Sequence, residues 1–247
     1  MTQADATLLA AIEQSYVAFA AFPLPRALTA SPLRDAKAIL ATLSAAPLRE
    51  LTGEQVGPYS GWAMTTVGND RDYRHFLPRI FELAATDPVW LGTEPPVMAS
   101  RLNMAGWRDW PEDQRDAVLT FFRSAFRASI EQHPDEAVQT ASIWLCGLSV
   151  LHDSSSLAFE RWRGSSSPNA ALQLAAFIND EGKHLRRHSD VQGPFWDEVD
   201  VLLRHDVAER LVSEETRAFL QAAAINATEQ DRFYFLDAAL SELDRRD

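Results

Sequence analysis

The chain has 247 residues, 46% of them hydrophobic and 23% charged, which allows a core burying roughly 70–75% of the unfolded surface and excludes a disordered segment. With 35 acidic against 23 basic side chains and a net charge of −12, it lacks the basic excess with which nucleic-acid binders neutralise phosphates. The single cysteine, Cys146, excludes an intrachain disulfide and any paired-cysteine zinc site, and ten glycines are too few for a hairpin-rich fold.

Apolar residues recur with helical period from end to end, and no alternating strand stands out. The first helix runs through Leu8, Ile12, Tyr16 and Phe19 and stops at Pro23 and Pro25. Ser31-Pro32 reads as an N-cap with proline at the first helical position, followed by Ala36, Ile39, Leu40 and Leu43. Thr52 with Gln55 three residues on is a capping-box pattern that opens a helix toward Trp62. Asn69 or Asp70 starts the next, through Tyr73, Phe76, Leu77, Ile80 and Ala84, with Pro78 predicting a kink or a late start. Asp109-Trp110-Pro111-Glu112 opens a helix striped by Val118, Phe122, Phe126 and Ile130. Pro134 is expected to restart the chain into an apolar helix at Val138–Leu148, and Asp153 with its serines suits an N-cap for Leu157–Trp162. Ser167-Pro168, Pro194, Ser213 and Thr228 mark four more starts.

About ten helices joined by short loops predict an all-α chain of antiparallel pairs, an irregular α-solenoid-like or helical-hairpin stack. Residues 1–247 read as a single domain with a bend near 153–167, where serines cluster. The N-terminus lacks the basic run of a secretory signal, and the longest nearly uncharged stretch, Ala141–Leu151, is far below the roughly 20 residues of a membrane span. A cytoplasmic protein is expected. The charge is uneven: residues 1–110 carry −2 and residues 111–247 carry −10.

Two segments carry a family resemblance. Asp70-Arg71-Asp72-Tyr73-Arg74-His75-Phe76-Leu77-Pro78-Arg79, led by Gly68-Asn69, and Gly106-Trp107-Arg108-Asp109-Trp110-Pro111 together resemble a family of bacterial all-α proteins that brings no established activity. The likeness spans roughly residues 47–126. It implies a helical fold. Members of that family carry clustered cysteines shortly before this region; Thr29-Ala30-Ser31-Pro32 stands there in this chain, so a metal or redox role built on such cysteines is not implied.

The candidate polar cluster is Asp72, His75 and Arg79, which fall on one helix face at spacings of three and four. A carboxylate beside an imidazole can orient it as a base or a ligand, and the same residues can equally cross-link neighbouring segments. Further on, Glu181, His184 and His188 share an edge; Glu-x-x-His is the element of di-iron bundles, and a histidine pair at i and i+4 can grip a metal. The alternative there is a helix C-terminus complemented by basic residues, with Gly182 ending the helix early. His152-Asp153 is similar to the metal-binding His-Asp of the all-α HD phosphohydrolases. That likeness implies His75 and Asp206 as further ligands, although Asp153-Ser154-Ser155-Ser156 departs from the usual Gly-Lys continuation. Cys146, in an apolar helix with no histidine nearby, reads as an inert core thiol.

No constellation is complete. The expectation is therefore a helical scaffold or protein-binding protein, more an interaction partner than an enzyme, whose acidic C-terminal half suits a basic protein partner. The alternative is a divalent-metal hydrolase or oxidase with ligands from Asp72, His75, His152, Asp153, Glu181, His184 and His188. No nucleic-acid or membrane partner and no cofactor other than such a metal is expected.

Overall fold

The computed structural model describes residues 2–87, 89–90, 92, 94–193 and 195–245, without the side chains of residues 186–188. The described residues form helices joined by loops and hold no strand; their β-type pairing is confined to the isolated bridges Ala30–Val67 and Ala63–Val67. No described helix is long and apolar enough to cross a membrane. The chain groups into two compact units, residues 1–125 and 126–247, with the division inside the helix Glu112–Ile130. The serine-rich stretch 153–167 lies within the second unit.

The first unit holds α1 (Gln3–Ala18), α2 (Ala36–Leu43), α3 (Gly53–Trp62), α4 (Asp70–Thr86), α5 (Pro95–Met104) and most of α6 (Glu112–Ile130). Helix α4 is its axis and packs on α1 and α3. Its buried stripe of Tyr73, Phe76, Leu77, Ile80 and Phe81 is the helical-period stripe of the sequence. Phe81 stacks on Phe121 at 4.1 Å between ring centroids and meets Phe122 edge-on at 5.8 Å. Pro78 lies inside α4 without ending it; burial of the stripe on both sides offsets the missing N–H.

Two predicted starts move. Helix α2 begins at Ala36, because Asp35 Oδ1 accepts from the amides of Lys37 and Ala38, while the Ser31 amide donates to Thr66 O and holds Ser31-Pro32 in a turn. The apolar helix expected from Pro134 begins only at Ala141, since the Asp135 amide donates to His133 Nδ1 and residues 133–140 form turns. Helix α5 carried no start signal beyond Pro95-Pro96. Thr52 completes the capping box its spacing predicted, and Asn69, one of the two expected starts, completes another with Asp72. Gly68, at φ +72°, makes the turn into α4, and a Cβ there would stand 3.3 Å from Tyr59 Oη and 3.4 Å from Asp72 Oδ2.

The second unit holds α7 (Ala141–Val150), α8 (Ser155–Arg163), α9 (Pro168–His188), α10 (Val201–Leu211), α11 (Glu214–Ala224), α12 (Glu229–Asp231) and α13 (Asp237–Asp244). Pro194, an expected start, lies outside the described residues; α10 is capped by Asp200 instead. Ser154, Ser167, Ser213 and Thr228 cap α8, α9, α11 and α12. Helix α9 is the hub and touches α7, α8, α10, α11 and α13. It passes through Gly182 unbroken, because α13 crosses there: a Cβ on Gly182 would lie 2.7 Å from Glu242 Oε2. Between α12 and α13 the turn Arg232–Leu236 is π-helical, closed by the Asp237 amide donating to Arg232 O.

Candidate functional site

The α4 face has structural partners for each of its candidates. Asp72 Oδ2 accepts from the Asn69 amide at 3.2 Å, and Asn69 Oδ1 accepts from the amides of Arg71 and Asp72. Burial raises the Asp72 carboxyl above its ordinary value, against the opposing pull of the Asn69 amide, Arg71 and His75. His75 Nδ1 lies 2.8 Å from Phe22 O, so the ring donates there and ties the loop after α1 to α4. Arg79 donates from Nε to Leu51 O at 2.7 Å and pairs through Nη1 with Glu82 at 2.7 Å. Tyr16 of α1 donates to the same Glu82 carboxylate at 2.6 Å. Asp72 thus closes the cap of its own helix, while His75 and Arg79 bond outward to separate segments.

The metal candidates disperse in the same way. Among the described residues no three His, Cys, Asp or Glu side chains gather as a metal requires. Glu181 is buried on α9 well before its C-terminus, where Oε2 accepts from the Gln192 amide at 3.0 Å. Burial raises its carboxyl, and the Gln192 bond and His184 oppose that while Asp180 and Asp190 add to it. The His188 side chain lies outside the described residues. His152, exposed at φ +59°, and Asp153 form the C-terminal cap of α7: the His152 amide donates to Ser149 O and the Asp153 amide to Leu148 O. This pattern is a Schellman cap, and it explains the dipeptide without a ligand. Asp206 is held by Ser155 and Arg210. Cys146 is buried, with its thiol pushed up by that burial and by Glu181 and Glu198.

Glu181 gives a signed pH test. Because its folded value is raised, the stability linked to its protonated form is full below the ordinary carboxyl range and is lost as pH rises through the folded value. Glu181→Gln keeps an acceptor for the Gln192 amide and removes the buried charge. The variant is expected to melt above the parent at pH 7 and to converge with it near pH 4, as read by thermal denaturation at both pH values. A variant less stable at pH 7 means that the carboxylate serves a cationic partner.

A surface feature lies at the π-helical turn. The wider turn splays Phe233 and Tyr234 outward, 69% and 63% exposed, with their rings edge-to-face at 5.2 Å. They border an open groove of about 550 Å³ between α9 and α13, floored by Ala238 and Asn179. Asn179 Nδ2 donates to Phe235 O at 3.2 Å, and its buried Oδ1 has no donor. The groove's charges are matched, Arg232 to Asp237 at 3.3 Å and Arg245 to Glu242 at 2.6 Å.

No family model, no curated protein and no solved structure matches this chain. Adjacent exposed aromatics beside matched charges form a surface for another chain's side chains. The sequence did contain its signal, Phe233-Tyr234-Phe235, three consecutive aromatics that a helix cannot bury on one side.

Proposed function

We propose that the protein is a non-catalytic helical binding protein whose second unit docks a basic protein segment in the groove beside Phe233 and Tyr234. The exposed aromatic pair carries this reading, since large rings left in water at a groove edge are typical anchors of a protein interface. Charge supports a basic partner: residues 126–247 hold 21 acidic and 12 basic side chains, a field that steers cations toward this unit. A metal-dependent hydrolase or oxidase finds no gathered ligand set to support it among the described residues.

The test compares the parent with Phe233→Ser/Tyr234→Ser, a change confined to exposed side chains, after each is purified from source-cell lysate and weighed by native mass spectrometry. A stoichiometric basic protein should accompany the parent, dissociate as salt rises and be absent from the variant. Equal retention by the variant, or no partner on the parent, overturns the proposal. A parent dimer that the variant loses reassigns the groove to a second copy of this chain.

A further inference from the structure

A second feature of this unit rests on other residues. A pocket of about 320 Å³ is lined by Arg127 of α6, Arg161 of α8 and the loop Gly164–Ser166, with Ile130 and Glu131 completing its wall. Some guanidiniums of the chain are matched to carboxylates, Arg74 to Asp70, Arg210 to Asp206 and Arg204 to Asp190, whereas exposed ones such as Arg26 and Arg71 are not matched among the described residues; what sets Arg127 and Arg161 apart is that both line one pocket. Among the described residues neither Arg127 nor Arg161 has a carboxylate within ion-pair distance, in a chain where acids outnumber bases 35 to 23. Two unmatched cations on one concavity repel each other, and an anion shared between them relieves that repulsion.

The remaining wall is made of donors. Ser165 Oγ already accepts from the Ser167 amide at 3.2 Å, which leaves its own proton to donate. Ser166 adds a second hydroxyl, and the 21-residue helix α9 begins directly after the Ser167 cap, with its positive dipole end at this loop. Arginine forks and serine hydroxyls match the tetrahedral oxygens of a phosphoryl group. Glu131, four residues after Arg127, is the one acid on the wall; it repels a bare anion and accepts from a ligand hydroxyl.

From these residues we infer that the pocket binds a small phosphate monoester, its phosphoryl group held by Arg127 and Arg161 with Ser165 and Ser166 donating, and a hydroxyl of its body held by Glu131. The test is isothermal titration at low ionic strength with two probes, inorganic phosphate and glycerol 3-phosphate. The ester should bind more tightly than the inorganic ion. Arg127→Ala/Arg161→Ala should weaken both at least about tenfold, whereas Arg26→Ala/Arg71→Ala, the same charge change at exposed arginines of the first unit, should change them less than about twofold. Glu131→Gln should bring the ester down to the level of inorganic phosphate without weakening the latter. The inference is overturned if neither probe binds, if both double variants lose affinity alike, or if Glu131→Gln leaves the preference for the ester intact. The groove beside Phe233 is unaffected by any of these outcomes.

Discussion

Trp162→Ala is expected to lower stability by about 3–5 kcal/mol, the range for emptying a large buried aromatic site. Trp162 is fully buried where α8 meets α9. Its ring stands edge-on to Phe126 at 5.4 Å, tilts against Phe159 at 5.9 Å and runs parallel to Phe177 at 6.5 Å. Phe177 continues the stack onto Trp196 at 5.9 Å. Each such pair adds about 0.5–1.5 kcal/mol beyond burial, so the loss exceeds that of an aliphatic residue in the same place. The indole also donates from Nε1 to Ala170 O at 2.9 Å and pins the first turn of α9. Trp162→Phe keeps most of the stack and should forfeit about 1 kcal/mol for the hydrogen bond together with a smaller void. Urea unfolding followed by circular dichroism reads both, with an unchanged slope marking a native-state effect. A Trp162→Ala loss below about 1 kcal/mol is incompatible with a packed hub.

The helices around Trp162 were legible because helical period and helix caps are local properties. Thr52, Asn69, Ser167, Ser213 and Thr228 cap their helices from side chains two or three residues away, and such a bond depends on nothing distant. The starts that moved depend on distant or competing bonds. Ser31 has the right residue type, but its amide is taken by Thr66, 35 positions on. Pro134 is delayed by the imidazole of His133, which accepts the Asp135 amide and also approaches Asp231 at 3.3 Å. Gly182 misled for a similar reason: it reads as a helix end, yet its missing Cβ admits α13.

The candidate chemistry was less legible, because a polar face identifies who can bond and not to whom. Asp72, His75 and Arg79 do lie on one face; Asp72 completes the local cap with Asn69, whereas His75 and Arg79 are bonded to segments the spacing cannot reveal, the loop after α1 and the turn before α3. His152-Asp153 shows the same limit, since its backbone and not its side chains explains its place. The arginines of the 320 Å³ pocket are 34 positions apart and meet only in the fold.

Arg79 separates a tying role from a chemical one, and Arg79→Ala is expected to cost about 2–3 kcal/mol, since hydrogen bonds made by a charged group are worth about 1.5–3 kcal/mol each. Two groups are stranded together. Leu51 is fully buried and its carbonyl loses the Nε donor, while Glu82 keeps only the Tyr16 hydroxyl at its carboxylate. Some of the ion-pair term is lost to screening, because Glu82 is partly exposed. Arg79→Lys preserves the charge, but a single ammonium at that position cannot replace a rigid fork that serves Leu51 O with one nitrogen and Glu82 with another. The lysine variant should therefore recover less than half of the loss. Tyr16→Phe should cost less than either, since Glu82 then keeps its guanidinium partner. Urea midpoints ordered parent, Tyr16→Phe, Arg79→Lys, Arg79→Ala identify the α4 face as a tie between α1, the turn at 48–51 and α4. An alanine variant as stable as the parent would free Arg79 for a ligand and return this face to the candidates for chemistry.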